Sequence, residues 1–302
     1  KDGRRPFVVS PLGLEPNKPR LVLDMQYINL WMATAKFTMQ GVRVVPEMVR
    51  VGESYFVSID HKSGYYHVGL HESAMPYFGV EWQGEYYVYT VLPFGWSCSC
   101  YIYQTLGEAV VEYLRYFHIP ATIWIDDMLI SGYATDAVAG IAPWVSCCSA
   151  AYVALYVLTM LGYFLSLDKS TLWPTRELIY LGIVCDAGAG EFRIPQPKLD
   201  KLLALMQAAT EAKVVNSKVL EKIIGKCVSM SIAIPPAALY YRRLNAALTE
   251  AQDWERQAHQ PRLRKRGTKV FKQKKRRGVK PKDIPVSKAM QEEFDMWRLI
   301  AR

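Results

Sequence analysis

The chain has 302 residues, 51% of them hydrophobic and 12% aromatic, which excludes a disordered protein and allows one large or two medium domains. The net charge of +9 is concentrated in one place, because the segment 262–282 holds 12 Lys or Arg residues and no acid. Without these 12, 25 of the 37 basic residues remain against 28 acidic residues, a net charge of −3. The basicity is therefore local and does not describe the whole surface.

The six cysteines form neither a metal-binding nor a disulfide pattern. No CxxC pair and no histidine at zinc spacing accompanies them, which favours reduced thiols in an intracellular protein of the cytoplasm or nucleus. Lys1 is the first residue and no signal-peptide pattern follows it. We therefore expect the sequence to be a segment of a longer protein.

The N-terminal part predicts a strand pair and then a buried strand that ends in an acid. Residues 7–24 predict two strands around a turn rich in Pro, Gly and Asn, with Lys18 in the turn and Arg20 in the second strand. A second apolar run begins at Tyr55 and ends at Asp60. A carboxylate at that position is either a functional group or a helix cap.

A hairpin and a helix are predicted next. Residues 78–91 have strand composition on both sides of Gln83 and Gly84, which predicts a two-stranded arm. A turn of small residues at 92–100 leads into an amphipathic helix at 101–117. Its predicted apolar face consists of Ile102, Leu106, Val110, Tyr113 and Leu114.

Two adjacent acids lie at the tip of the following hairpin. Between Ala121 and Ile130, Asp126 and Asp127 separate two short strands of β-branched and aromatic residues. Adjacent carboxylates repel each other, and their desolvation is costly unless a cation or hydrogen-bond donors compensate. The pair therefore indicates either a divalent metal site or an ordinary Asp–Asp turn.

The segment 137–167 contains no charged residue. Its apolar core at 150–161 is long enough to suggest a membrane span, but Gly140, Pro143 and Gly162 interrupt the segment and no Lys or Arg flanks its N-terminal side. We expect no membrane, and we predict a helix that is buried on most faces. The alternative is an exposed apolar face that contacts a protein partner or a second copy of the chain.

The C-terminal part predicts helices at 198–211, 217–233 and 236–252. The basic run 262–282 has little apolar periodicity, which predicts a segment without fixed structure. It would attract nucleic-acid phosphates by counterion release, or serve as a linker or localisation signal. The start of another helix is predicted at 287–302.

The three acids together indicate phosphoryl-transfer chemistry. A strand that ends at Asp60 and a hairpin that carries Asp126 and Asp127 can meet in one sheet. Two divalent ions about 3.5–4 Å apart, held by carboxylates, stabilise the attacking and leaving oxygens of an in-line displacement. Mg²⁺ suits such ligands, because substrate phosphates and water complete its coordination.

The order and spacing of these motifs resemble the palm of a reverse transcriptase. The resemblance covers nearly all of residues 5–250 in collinear order and, on the helical stretch 194–244, is greatest to tyrosine-recombinase (DIRS-type) retroelements, with gypsy-type elements next. Trp124 departs from the family, which usually has Tyr or Phe there. The motifs that match are Arg20–Asp24 with Asn29, which resemble a strand of the fingers, and Ser58–Tyr66, Leu92–Ser97, Trp124–Asp127, Leu161–Ser170 and Tyr180–Ile183.

The resemblance implies an α+β fold, the right-hand polymerase with fingers, palm and helical thumb, in which helices back an antiparallel palm sheet. It implies these divisions: 1–54 for the first part of the fingers, 55–70 and 93–190 for the palm, 71–92 for the fingers hairpin, 191–258 for the thumb, 259–283 for a basic linker, and 284–302 for the start of a connection segment.

The resemblance also implies residue roles. Asp60, Asp126 and Asp127 would be the catalytic acids and would hold two Mg²⁺ ions, or Mn²⁺ as an alternative, with the His61 backbone carbonyl as a further ligand. Tyr65 would exclude a ribose 2′-hydroxyl. The other residues around an incoming dNTP would be Lys18, Arg20, Phe94, Gly95 and Lys169, the last as proton donor to pyrophosphate.

Two more sets of residues would contact nucleic acid. Leu181 and Gly182 would form the primer grip. The basic run would contribute phosphate contacts from Lys265, Arg266, Lys274, Lys275, Arg276 and Arg277.

The expected function is an RNA-directed DNA polymerase that extends a primer with dNTPs on an RNA or DNA template. The alternative is a catalytically silent, domesticated reverse-transcriptase-like module that binds nucleic acid or a protein partner. The basic run and the apolar segment motivate this alternative, and the intact acids argue against it. Tyr65 disfavours a third interpretation, an RNA polymerase palm.

Overall fold

The computed structural model describes residues 5–14, 21–33, 35–134, 140–259, 265–266, 269–270 and 282–301, with side chains left undescribed at 257–259, 265–266 and 269–270. Contacts divide the chain into two compact units. The first comprises residues 1–181 and 185–191, and the second comprises 182–184 and 192–302.

The first unit combines a four-stranded sheet, shorter antiparallel strand pairings and helices. Its elements, together with the strands at the boundary, are β1 (Leu12–Leu14), β2 (Leu21–Leu23), α1 (Gln26–Trp31), β3 (Tyr55–Asp60), β4 (Gly79–Trp82), β5 (Glu85–Val88), α2 (Ser97–Tyr116), β6 (Ala121–Trp124), β7 (Asp127–Gly132), α3 (Pro143–Met160), β8 (Thr171–Thr175), β9 (Glu177–Tyr180), β10 (Ile183–Asp186) and β11 (Glu191–Arg193).

The large sheet has the strand order β6-β7-β3-β8, and all its pairings are antiparallel. Side chains on a strand alternate between the two faces. Val57 and Ile59 of β3 therefore join Met128 and Ile130 of β7 in one hydrophobic core, which also contains residues of α2 and α3. Asp60 and the residues that alternate with this set lie on the opposite face. The predicted antiparallel sheet backed by helices is confirmed.

Two hairpins follow their predicted turns. In β4–β5, Gln83 and Gly84 both have positive φ, of 54° and 78°, as the tight turns that suit twisted hairpins require. The β6–β7 hairpin has Ile125 and Asp126 between its strands, so the predicted acid pair does lie at a hairpin tip.

Helix α2 buries part of the predicted face, since Val110 and Leu114 are 6% and 0% exposed, but the rest of its buried surface differs. Leu106 and Tyr113 are 42% and 51% exposed, whereas Gln104 and Gly107 are buried against β6. A Cβ on Gly107 would lie 2.9 Å from Cδ1 of Ile123, so the glycine allows the close approach of helix and strand. Apolar periodicity misses Gln104 and Gly107 because the first is polar and the second lacks a side chain.

The prediction that α3 is buried on most faces is wrong. Its buried residues are small, namely Cys147, Ala150, Ala151 and Ala154, with Leu158 as the exception. Large residues such as Tyr152 and Tyr156 are exposed, the first to 71%. A Cβ on Gly132 of β7 would overlap the backbone of Cys147. The helix therefore lies so close to the sheet that only small side chains fit between them.

Within the described part of the chain, Pro143–Met160 is the one helix that is long and apolar enough to cross a membrane. Length and composition alone support this, and they are weak support, because a core helix of a soluble protein passes the same test. Here one side of the helix packs in the core of the sheet.

The second unit is mainly helical. Its elements are α4 (Gln196–Ala212), β12 (Val214–Asn216), α5 (Ser217–Met230), α6 (Arg242–His259), β13 (Lys265–Arg266), β14 (Lys269–Val270), β15 (Asp283–Pro285) and α7 (Lys288–Ile300). One core joins α4, α5, α6 and α7 and includes the fully buried Phe294 and Trp297. The predicted last helix thus exists and packs with the helices before it.

Helix boundaries in the second unit differ from the predicted ones chiefly in α6, which begins and ends later than the predicted 236–252. A short 3-10 helix occupies Pro235–Tyr240, and α6 begins only at Arg242, because the adjacent prolines remove backbone donors that an α-helix needs. Asn216 and Ser287 cap α5 and α7 with their side chains. Most of the basic run 262–282 lies outside the described residues; where described, β13 pairs with β14.

Candidate active site

The sheet brings the three acids together on its face away from the helices. Asp60 ends β3 and is directly opposite Asp127, the first residue of β7, in the antiparallel register. Asp126 precedes Asp127 in the β6–β7 turn. Residues directly opposite in antiparallel strands have Cβ atoms about 4.5–5.5 Å apart, so the fold places these carboxyl groups next to each other.

The turn that carries Asp126 is held from two sides. Gln104 of α2 accepts a hydrogen bond from the Ile125 amide at 2.7 Å and donates one to the Ile123 carbonyl at 3.1 Å. The His61 amide donates to the Asp126 carbonyl at 2.8 Å. Ile125 has a φ of +56°, a left-handed conformation that is unfavourable for a β-branched residue. The surrounding hydrogen bonds hold the turn in this strained form.

Asp60 keeps one carboxylate oxygen unsatisfied. Its Oδ1 is buried and has no hydrogen-bond partner, while the Lys169 ammonium lies 3.7 Å away on a side chain that is 66% exposed. The backbone amide of Asp60 donates to Ser170 Oγ at 3.0 Å, which fixes the end of the strand. A buried carboxylate oxygen without a donor is costly, and a bound cation would remove that cost.

Asp126 and Asp127 resist ionisation. Burial, followed by the charges of Asp126 and Asp60, raises the pKa of Asp127 to about 6, and Lys169 opposes this shift. Burial also raises the pKa of Asp126, with Asp60 adding to the effect while a backbone hydrogen bond and Lys169 oppose it. Clustered carboxylates that are desolvated together behave in this way, and a divalent cation between them would reverse both shifts.

The residues fit a magnesium site that the substrate completes. Among the described residues, no three Asp, Glu, His or Cys side chains already converge as a complete ion-binding group. Mg²⁺ in phosphoryl-transfer sites commonly takes one or two carboxylates from the protein and the remaining oxygens from phosphates and water. The unsatisfied Asp60 Oδ1 beside Asp127 meets that requirement.

Three residues predicted to surround a nucleotide lie in the same unit as the acids. Tyr65 lies on a short 3-10 turn after Asp60, and its ring centroid is 4.9 Å from that of Phe94. Phe94 is 46% exposed. Gly95 has a φ of +93°, and a Cβ there would lie 3.1 Å from the Leu23 carbonyl oxygen, so only glycine suits this position.

The predicted primer grip is a turn between two strands. Leu181 and Gly182 have positive φ values of 49° and 75° and connect β9 to β10. The preceding residue, Tyr180, donates from its hydroxyl to the Asp127 carbonyl at 3.2 Å. The boundary between the two units passes between Leu181 and Gly182.

Some predicted residues lie outside the described part of the chain. These are Lys18 and Arg20 near the N-terminus, and Lys274, Lys275, Arg276 and Arg277 in the basic run. Lys265 and Arg266 form β13, of which only the backbone is described. Their proposed contacts with triphosphate and nucleic acid stay predictions.

Two supporting residues were missed by reading the sequence. Gln104 supports the acid turn, and Tyr103 underlies Tyr65 with a centroid distance of 5.7 Å. Asn29, which belongs to the first matching motif, joins the Gly95 carbonyl to the Ser97 amide at 2.9 Å each. Asn29 lies in α1 and not in a strand as the motif resemblance implied. The single signal for Gln104 was a glutamine next to apolar residues in an otherwise amphipathic helix, which is too weak to single it out.

Trp124 occupies the position where the resemblance leads one to expect Tyr or Phe. It is directly opposite Asp127 in the β6–β7 pair. A Cβ on Gly41 would lie 3.6 Å from its ring, an ordinary van der Waals distance, so the indole packs beside the backbone at Gly41. The substitution leaves all three acids in place.

Comparisons with known proteins agree with this geometry. The family described as reverse transcriptase (RNA-dependent DNA polymerase) matches residues 18–185. The Gag-Pol polyprotein of bovine immunodeficiency virus (strain R29) is 28% identical over 139 residues, 43% of this chain and 9% of the polyprotein. The enzymatic polyprotein of cauliflower mosaic virus (strain Strasbourg) is 24% identical over 238 residues, 78% of this chain and 32% of the polyprotein. The chain thus spans less than a third of these relatives.

Solved structures show the same fold. A foamy viral protease-reverse transcriptase in complex with double-stranded DNA has a TM-score of 0.67 and 17% identity, covering 99% of this chain and 44% of that one. A foamy viral protease-reverse transcriptase in complex with an RNA/DNA hybrid has a TM-score of 0.62 and 15% identity, covering 98% and 34%. These likenesses confirm the predicted polymerase fold.

Proposed function

The chain belongs to the reverse transcriptase (RNA-dependent DNA polymerase) family, and from this premise we propose that it is an RNA-directed DNA polymerase that extends a primer with dNTPs. One observation carries the proposal. Asp60 and Asp127 face each other across β3 and β7 with Asp126 alongside, and the buried Oδ1 of Asp60 lacks a hydrogen-bond partner. A catalytically silent module would gain nothing from keeping such a cluster, since it destabilises the fold.

The carboxylates would hold the divalent ions that this family uses. We assign Asp60, Asp126 and Asp127 to two Mg²⁺ ions, with Mn²⁺ as an alternative, and we assign the His61 backbone carbonyl as a further ligand. Such ions, when bound, stabilise charge on the attacking and leaving oxygens of the displacement. The primer 3′-hydroxyl would attack the α-phosphate of a dNTP and release pyrophosphate.

The neighbouring side chains would orient the nucleotide and assist the leaving group. Lys169 lies beside Asp60 on an exposed side chain, where it would donate a proton to pyrophosphate. Lys18 and Arg20 would stabilise triphosphate charge. Tyr65, packed on Phe94, would block a 2′-hydroxyl and so select deoxynucleotides, which distinguishes this function from RNA synthesis.

The nucleic-acid substrate would be an RNA or DNA template with its primer. The foamy viral enzymes of the same fold were solved with double-stranded DNA and with an RNA/DNA hybrid. Leu181 and Gly182 would contact the primer, and the six basic residues of the 262–282 run would add phosphate contacts that weaken as salt increases.

The type of retroelement that encodes this chain is proposed from the motif resemblance alone. The stretch 194–244 favours a tyrosine-recombinase (DIRS-type) retroelement, with gypsy-type elements next, and the cysteine pattern favours the cytoplasm or nucleus.

The exposed side of α3 would contact another polypeptide, either a protein partner or a second copy. It presents Tyr152, Tyr156 and Met160 within a stretch that has no charged residue. Sedimentation at increasing concentration, alone and with Tyr152→Ser/Tyr156→Ser, separates self-association from contact with a different protein.

Primer extension on an RNA template with Mg²⁺ tests the main proposal. The wild type should add dNTPs, and Asp126→Asn should not. A wild type that binds the RNA–DNA duplex but never extends its primer supports the silent module instead. An Asp126→Asn variant that extends as well as the wild type overturns the metal assignment.

A further inference from the structure

A buried polar link lies behind the proposed nucleotide site. His61, the residue after Asp60, is 1% exposed, and so is Tyr103 of α2. The Nδ1 atom of His61 and the Tyr103 hydroxyl are 2.8 Å apart, which makes a hydrogen bond. Buried polar side chains are costly unless they are paired, so this pair fixes both rings in one arrangement.

Tyr103 in turn supports the segment that carries Tyr65. A Cβ on Gly64 would lie 2.8 Å from Cζ of Tyr103 and 3.0 Å from its hydroxyl oxygen. The Tyr103 ring therefore lies directly against the backbone at Gly64. Its centroid is 5.7 Å from that of Tyr65 in an edge-to-face arrangement, and Tyr65 continues the contact to Phe94 at 4.9 Å.

His61 also connects this ring stack to the acids. Its backbone amide donates to the Asp126 carbonyl at 2.8 Å, while its side chain bonds to Tyr103. One residue thus holds the acid turn with its backbone and the support of Tyr65 with its ring. A shift of Tyr103 would change the position of Tyr65 relative to the carboxylates.

We propose that the His61–Tyr103 hydrogen bond positions the Tyr65 ring and thereby sets discrimination between deoxynucleotides and ribonucleotides. Both are positioning residues, since neither side chain is placed against the nucleotide. The inference rests on the proposed function, because it assigns a supporting pair to the proposed sugar-selecting residue. Because Tyr103 contacts Tyr65 edge to face, the orientation of one ring restrains that of the other. A Tyr103 ring that could tilt would let Tyr65 move aside for a 2′-hydroxyl.

The test compares nucleotide selectivity in Tyr103→Phe with that of the wild type. This change keeps the ring and removes only the hydroxyl. The first ratio compares the rates at which dATP and ATP are inserted opposite a template base. The second compares their dissociation constants on a dideoxy-terminated primer, where no bond can form, so it does not depend on catalysis. We expect both dATP/ATP preferences to fall by about two- to tenfold, the scale set by one hydrogen bond.

Matched variants separate positioning from simple loss of packing. Tyr163→Phe removes a hydroxyl from a ring whose centroid is 4.8 Å from that of His61. Tyr163 takes no part in the His61–Tyr103 hydrogen bond, so this variant should keep the wild-type dATP/ATP preference. His61→Leu should match Tyr103→Phe, and the double variant should add no further loss. His61→Asn, which keeps a polar atom for Tyr103, should restore part of the preference.

The outcomes are distinguishable from failure of the proposed function. A wild type that binds dATP in preference to ATP but inserts neither contradicts polymerase activity, while the binding ratio still tests the pair. Equal losses for dATP and ATP in Tyr103→Phe overturn the inference, because they indicate general support only. A wild type without any preference for dATP overturns it as well. If Tyr103→Phe unfolds, the double variant, which removes both buried partners, serves in its place.

Discussion

Two carboxylates with buried oxygens, one in each unit, are treated in opposite ways by the fold. Glu293 of α7 is 6% exposed, and its two oxygens accept hydrogen bonds from the amides of Arg243 and Leu244 at 2.9 and 3.0 Å. Those amides belong to the first turn of α6, where no backbone carbonyl of the helix can accept their hydrogen bonds. Asp60 instead leaves Oδ1 without a hydrogen-bond partner beside two further acids, with only the exposed Lys169 ammonium 3.7 Å away.

The difference is the one expected between a structural carboxylate and the metal-binding role that we propose for Asp60. Glu293 satisfies backbone donors and faces the positive end of a helix dipole, so its charge stabilises the folded chain. The acids around Asp60 are desolvated and mutually repelling, so their charge opposes folding until a ligand compensates. Removal of charge should therefore cost stability in the second unit and activity in the first.

Asp60→Asn gives the largest expected effect. Primer extension should fall about a thousandfold or more, on the scale seen when a preorganised charge-stabilising group is lost, while the metal-free melting temperature stays level or rises. Asp168→Asn, a neighbouring exposed acid outside the site, is the matched control and should extend normally. A large loss of stability with normal extension would make Asp60 a structural acid like Glu293.

Glu293→Ala should act in the opposite way. It leaves two amides of α6 without acceptors, which costs about 1–3 kcal/mol of unfolding free energy, measured by urea denaturation. Glu292→Ala removes an adjacent exposed carboxylate that pairs with Arg243 at 3.6 Å and should change stability by less than about 1 kcal/mol. If the two variants are equally stable, the buried bonds of Glu293 contribute nothing special.

Gln104→Leu tests whether the acid turn needs its support. Loss of the bonds to Ile125 and Ile123 should lower the extension rate about tenfold through misplacement of Asp126. Gln104→Glu keeps the acceptor for the Ile125 amide and should retain more activity. Equal activity in the two variants would show that this acceptor does not hold the site.

The pH dependence of stability gives the smallest effect. The pKa of Asp127 is raised to about 6 in the folded chain, chiefly by burial, so the folded state binds a proton more tightly than the unfolded state. Metal-free protein should therefore lose stability as pH rises from about 4 through 6. Melting of the wild type minus Asp127→Asn across this range measures the effect, and a flat difference would contradict it.

The sequence predicted the acid site because strand alternation and turn chemistry are local. A sequence period of two is enough to predict the strand that ends at Asp60. A tight turn between two apolar strands is enough to predict the position of the two adjacent acids. The burial of Gln104 and Gly107 in α2 was not predictable in this way, because Gln104 is polar and Gly107 has no side chain. The burial of both residues depends on how closely β6 approaches α2.

Two other features depended on tertiary context. Helix α3 is apolar all round, so its sequence does not reveal that small residues face the sheet and tyrosines face outward. Glu293 lies in an amphipathic helix, where an acid normally indicates the solvent side. Only the approach of the α6 N-terminus makes that position suitable for a buried carboxylate.

The left-handed Ile125 has a consequence for engineering this chain. A non-glycine residue with positive φ costs about 1–2 kcal/mol, and the neighbouring acids add their own repulsion, so the β6–β7 turn is a place where many substitutions would raise the melting temperature. A library screened for thermal stability alone would enrich changes there and accumulate well-folded molecules that lack the proposed polymerase activity. Variants for use as enzymes should be selected on extension, with residues 123–127 left unchanged.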